Sequence, residues 1–120
     1  MERVVHFEIP SEKPEECIKF YQNTFGWKFE KWGDMDYWIA NTGDTNPGIN
    51  GAVTKKSELN PCVVNTIGVG DINASLESIK KHGGMVLTPV QPIPTIGLFA
   101  YCKDPDGNIF GVLQPDMMSK

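Results

Sequence analysis

Two helices that each end on glycine, with the same order of elements around both, constrain this chain more than any other feature. The first, "PEECIKFYQNTFG", has Pro14 in its first turn and Glu15 and Glu16 against the N-terminal dipole. Its residues Cys17, Ile18, Tyr21 and Phe25 recur at helical spacing, and Gly26 stops it. The second, "DINASLESIKKHGG", offers Asp71 as N-cap and Ile72, Leu76 and Ile79 on one face, with Gly83-Gly84 as its end. His82 falls in the last turn of that helix, where a cation meets the dipole and capping is its expected role.

Each helix follows a β-rich run, Val4 to Ile9 before the first and "CVVNTIGV" before the second. After the first helix, "WKFEKW" and "DYWIAN" alternate as strands around a Gly33-Asp34 turn, and the loop "TGDTNPG" leads to a short strand near "INGAVT". After the second come "MVLT", a proline-rich irregular loop "PVQPIPTIG", and a closing hairpin. The turn of that hairpin, Asp104-Pro105-Asp106-Gly107, has proline second and glycine fourth, as a tight turn requires.

The expected class is therefore α+β, with strand–helix–strand–strand–strand written twice in one 120-residue domain, residues 1–58 and 59–120. An offset of 58 residues lays His6 on Val64 and Glu8 on Thr66. The halves share pattern, not letters.

The lysines come in pairs (Lys55-Lys56, Lys80-Lys81) and the net charge is −4, so no clustered cationic footprint marks a nucleic-acid partner. No apolar run approaches the ~18 residues of a membrane span, and "MERVVHFEIP" reads as a strand rather than a signal peptide, which points to the cytoplasm. Three widely spaced cysteines, Cys17, Cys62 and Cys102, show no zinc spacing and read as reduced, mostly buried thiols.

Three pieces carry a resemblance over essentially the whole chain: "VVHFEIP" followed by "FYQNTFGWKFE", then "VGDINASLESIKKHGG", then "YCKDPDGNIFG". In order and spacing they resemble the vicinal-oxygen-chelate superfamily of glyoxalases, bleomycin-resistance proteins and ring-cleaving dioxygenases. "GINGAV", "IPTIG" and "DPDGNIFGVLQP" are most similar to a glyoxalase-like subgroup. The resemblance implies two βαβββ modules forming an incomplete eight-stranded barrel around a cavity. It also implies a divalent ion held by residues on the first and last strands of each module, acting as a Lewis acid, and a homodimer.

The ligand set that the resemblance implies is not met. His6 matches the first position, but residues 45–57, 59–70 and 108–115 contain no His, Asp or Glu, and glycine stands at Gly51 and Gly111. One histidine does not hold a catalytic metal. No cofactor is expected, a divalent metal at an unconventional site being the alternative; glyoxalase I and ring-cleaving dioxygenase activities are disfavoured.

Two glycines facing a cavity would widen it for an organic ligand, unless they mark bulges. His6 and Glu8 share one face of their strand, so either can serve as a general base there. Tyr101 has the spacing of an active-site tyrosine in the ring-cleaving dioxygenases. The first expectation is thus a metal-free, small-molecule-binding homodimer whose ligand meets His6, Glu8, Gly51, Thr66, Tyr101 and Gly111. The second is a lyase or isomerase using Glu8, His6 and Tyr101. The third is a dimeric interaction or regulatory subunit.

Overall fold

The computed structural model describes residues 2–116. Eleven elements follow in order: β1 (Val4–Ser11), α1 (Pro14–Phe25), β2 (Lys28–Lys31), β3 (Tyr37–Asn41), β4 (Gly51–Lys55), β5 (Val64–Gly68), α2 (Ile72–Lys81), β6 (Met85–Val86), β7 (Gln91–Ile93), β8 (Gly97–Lys103) and β9 (Ile109–Pro115). The chain is α+β: the first half runs βαβββ, and the second runs strand, helix and four strands, the short β7 being added to the expected order. Val5–Val64 forms one compact unit, and the second is built from Asn65 onward together with the residues before Val5.

In the first unit β1 pairs parallel with β4, β4 antiparallel with β3, and β3 antiparallel with β2. Pro14 opens α1, and Gly26 closes it in the left-handed region (φ 77°), with its N–H on the Gln22 carbonyl. Only glycine takes that conformation without a steric cost. The helix packs on β4 and β2. Its Tyr21 stacks on Trp27 at 4.7 Å between centroids, and Trp27 meets Phe7 of β1 at 5.9 Å. The Phe7 side of the sheet is therefore the side that α1 covers.

In the second unit β5 pairs parallel with β9, β9 antiparallel with β8, and β8 antiparallel with both β6 and β7. Asp71 caps α2 through the Ala74 N–H at 3.1 Å. His82 is the C-cap residue, and its Nδ1 lies 2.9 Å from the Ser78 carbonyl oxygen. Val69, Ile72, Leu76, Ala100, Cys102 and Val112 form the buried cluster between α2 and the sheet.

Residues 104–108 explain their own sequence. Gly107 N–H closes the turn on the Asp104 carbonyl at 3.0 Å, and the Asp104 carboxylate accepts from the Asp106 and Asn108 N–H groups and the Asn108 side chain. These bonds hold its carboxyl below the usual value, the Asn108 side-chain bond contributing most.

Three expectations are corrected here. "PVQPIPTIG" is not irregular throughout: Gln91–Ile93 pairs with β8. Pro92 is tolerated because β7 has β8 as its partner and an edge strand can spare an N–H. The strand at "MVLT" shortens to Met85–Val86. The cysteines are not mostly buried, since Cys102 is buried, Cys17 half-buried and Cys62 exposed.

Candidate functional site

The register decides which face each candidate occupies. In the first unit Glu8 lies opposite Ala52, and Pro10 opposite Thr54, which is itself opposite Tyr37. Residues that face one another across a sheet share a side. His6, Glu8, Ala52 and Tyr37 therefore project from one face, while Phe7 and Gly51 project from the other, the side packed by α1. No helix of the first unit covers the His6 face.

On that face the structure joins His6 to Tyr37, a residue that sequence reasoning did not single out as a partner. His6 Nε2 and the Tyr37 hydroxyl are 2.8 Å apart, and the ring planes are inclined by 10°. Burial holds the His6 imidazole below its ordinary pKa of 6.5, so the ring is neutral near pH 7. Glu8, two residues on, is only 5% exposed, and it is partnered. A carboxylate at that depth requires such partnership, because an isolated buried charge costs several kcal/mol, on the order of an unpaired ion in a low-dielectric interior.

In the second unit Thr66 lies opposite Gly111, and Gly111 opposite Tyr101. Phe99 is two residues from Tyr101 on the same strand and shares its face. Val112, Ala100 and Cys102 take the other face, in the cluster with α2. Thr66, Gly111, Tyr101 and Phe99 thus form one helix-free surface. Phe99 and Tyr101 meet edge to face at 4.7 Å and 87°.

The glycines do not widen these surfaces in the expected way. A Cβ added at Gly51 would lie 2.5 Å from the Phe7 ring, on the helix-covered side. One added at Gly111 would lie 2.7 Å from the Phe99 ring. In each unit a phenylalanine already uses the volume that the glycine leaves. Neither is a β-bulge by its register, since both sit in continuous ladders.

Beside Gly111 the Thr66 hydroxyl is anomalous. It is buried, and it alone among the described residues is a buried side-chain polar atom without a hydrogen-bond partner. Leaving such a group unsatisfied costs about 1–3 kcal/mol.

The donor set does not fit the divalent ion that the resemblance implies. No group of three or more His, Cys, Asp or Glu side chains able to share a metal occurs among the described residues. Nor is any described helix long and apolar enough to cross a membrane.

The signals for the missed residues were partial. Strand alternation puts Phe99 beside Tyr101 on one face, and that could have been read from "LFAYC". Nothing in "DYWIAN" points Tyr37 at His6, because that contact crosses β4 and depends on register.

The sequence profile of the Glyoxalase/Bleomycin resistance protein/Dioxygenase superfamily matches residues 3–112. A glyoxylase-like domain-containing protein of Didymella fabae is 32% identical over 114 residues, covering 88% of each chain. CFP32 of Mycobacterium bovis, whose name proposes a glyoxylase, is 30% identical over 115 residues; the match spans 90% of the present chain but 42% of that one. Among solved structures, the hypothetical protein BH1468 of Bacillus halodurans superposes with a TM-score of 0.70 at 14% identity, covering 99% of this chain and 98% of that one. A methylmalonyl-CoA epimerase in complex with methylmalonyl-CoA and NH4+ superposes at 0.68 with 16% identity, covering 98% and 96%. These structural likenesses speak for the fold.

Proposed function

From the premise that the chain belongs to the glyoxalase/bleomycin resistance protein/dioxygenase superfamily, we propose that it binds a small organic molecule without a chelating metal. The observation that carries this is at His6. The residue matched to a first metal ligand has its Nε2 engaged by a phenol at 2.8 Å and no group of metal donors around it. A neutral imidazole, a buried carboxylate and a phenol on a helix-free face are suited to hydrogen-bonding an uncharged or donor-rich ligand. The relatives' names supply no substrate for this chain. The same proposal takes the protein as a cytoplasmic homodimer, which sedimentation of purified material would check.

The test is elemental analysis of untagged protein, followed by titration of Ni²⁺, Zn²⁺, Mn²⁺ and Fe²⁺ into the apo form. The expected result is no metal above background, with a metabolite-library thermal-shift screen then returning organic ligands. Near-stoichiometric metal that is lost in His6→Ala would overturn the proposal.

One observation favours an enzymatic reading beside it. An imidazole kept neutral by burial, on the same strand face as Glu8, is a competent proton acceptor for a lyase or isomerase. A substrate-dependent rate that survives Glu8→Gln unchanged would sink that assignment.

A further inference from the structure

The helix-free surface of the second unit contains a polar group with nothing to bond to, at a place where the backbone has been cut back. Thr66 Oγ1 would lie 3.0 Å from a Cβ at Gly111, so the orphan hydroxyl borders the volume that the glycine leaves. The Phe99 ring occupies the rest of that volume, with two of its atoms 2.7 Å from the same point. The ring fills volume beside the hydroxyl and offers it no hydrogen-bond partner. Phe99 itself is half-buried and Thr66 is 2% exposed. An aromatic ring on a strand reorients about two side-chain torsions, whereas the Gly111 backbone is fixed in ladders on both sides.

We propose that Phe99 is a displaceable plug, and that the second unit takes a planar ring carrying a hydroxyl or carbonyl oxygen on its edge. The ligand ring replaces the Phe99 ring over Gly111 and inherits its edge-to-face contact with Tyr101. The oxygen on the ligand's edge meets Thr66 Oγ1 and satisfies it. The glycine is needed because any side chain at position 111 would stand in the slot, and the threonine is kept polar for the ligand rather than for the fold. This inference rests on the preceding proposal in one respect, that the natural ligand is organic.

The test uses phenol as probe and toluene as the ring of similar shape without the hydroxyl. In full-length Phe99→Ala the plug is gone and both probes bind, as read by calorimetry. Adding Thr66→Val weakens phenol roughly 5- to 10-fold, the worth of one net hydrogen bond, and leaves toluene unchanged or tighter. Phe99→Leu serves where Phe99→Ala does not fold. In the unsubstituted chain, phenol at millimolar concentration shifts the Phe99 ring and Thr66 methyl resonances, and Thr66→Val alone keeps or raises the urea midpoint.

Three results would overturn the proposal: phenol affinity indifferent to Thr66→Val, no phenol-induced shift at Phe99 in the unsubstituted chain, or a lower urea midpoint in Thr66→Val. Each is read independently of the metal analysis. Metal at His6 would end the organic-ligand proposal while leaving the recess measured, and a failed phenol cycle would end the recess while leaving His6 metal-free.

Discussion

His6 Nε2 and the Tyr37 hydroxyl stand 2.8 Å apart although 31 residues separate them in the chain. The bond reaches from β1 to β3 over the intervening β4, so it ties the first strand of the unit to its hairpin. Tyr37→Phe removes it while keeping the ring, and leaves the imidazole nitrogen without that partner. The expected loss is about 1 kcal/mol of stability, typical of one hydrogen bond, measured by urea denaturation near neutral pH. No change would mean that water replaces the phenol at no cost.

The same histidine makes stability depend on pH. Burial lowers its folded pKa below 6.5, and unfolding restores the ordinary value. Between the two values the unfolded chain binds more protons, so stability rises with pH there. The contribution of the neutral ring is complete above about 6.5 and is lost as pH falls through the folded value. Urea midpoints taken at about pH 7.5 and about pH 5.5 should differ more in the natural chain than in His6→Gln. Equal differences would place the acid sensitivity elsewhere.

Gly111 and Phe99 share one volume, and a double-mutant cycle measures the sharing. Gly111→Ala sets a methyl 2.7 Å from the ring and 3.0 Å from Thr66 Oγ1. Overpacking of that kind costs about 1–3 kcal/mol. In a Phe99→Ala background the cost should largely vanish, giving a coupling between the two sites on the order of 0.5–3 kcal/mol. Additive effects would show that the ring does not hold that place in solution.

The three thiols should differ in reactivity in the order of their exposure. Cys62 is exposed and free, so an alkylating reagent should label it first. Burial raises the Cys17 thiol, opposed by a hydrogen bond with Ser11, and pushes Cys102 up to about 11. Cys102 is also inaccessible at 0% exposure and should label only as fast as the protein unfolds. Mass spectrometry of timed alkylation checks the order, and early labelling of Cys102 would contradict the packing of α2 on β8 and β9.

What the sequence makes legible here is local, and what it hides is relational. The Asp71 cap, the Gly26 stop and the Asp104–Asn108 turn are each written in five or fewer neighbouring residues, and each is where the pattern puts it. β7 was hidden because three prolines in "PVQPIP" mimic a loop, and only pairing with Phe99 and Leu98 makes it a strand. The placement of Gly51 was hidden for a different reason. Sequence gives the parity of a strand but not which parity faces the helix, and a one-residue choice reverses every side chain. Glu8 opposite Ala52 settles it, putting Gly51 behind the sheet from Glu8. Contact of Tyr37 with His6 exists only once three strands are in register, and that of Phe99 with Gly111 once two are.

The shared volume at Gly111 also governs which substitutions can follow one another. A carboxylate introduced at position 111 alone would drive its first carbon against a phenyl ring, and Phe99→Ala alone would open a void in the same place. Either single step is penalised, and the pair relieves both penalties. Between a surface that holds a ring and one that holds an ion there is, at this position, a valley two mutations wide. Chance point mutation will therefore tend to keep the chain on the side where it now stands.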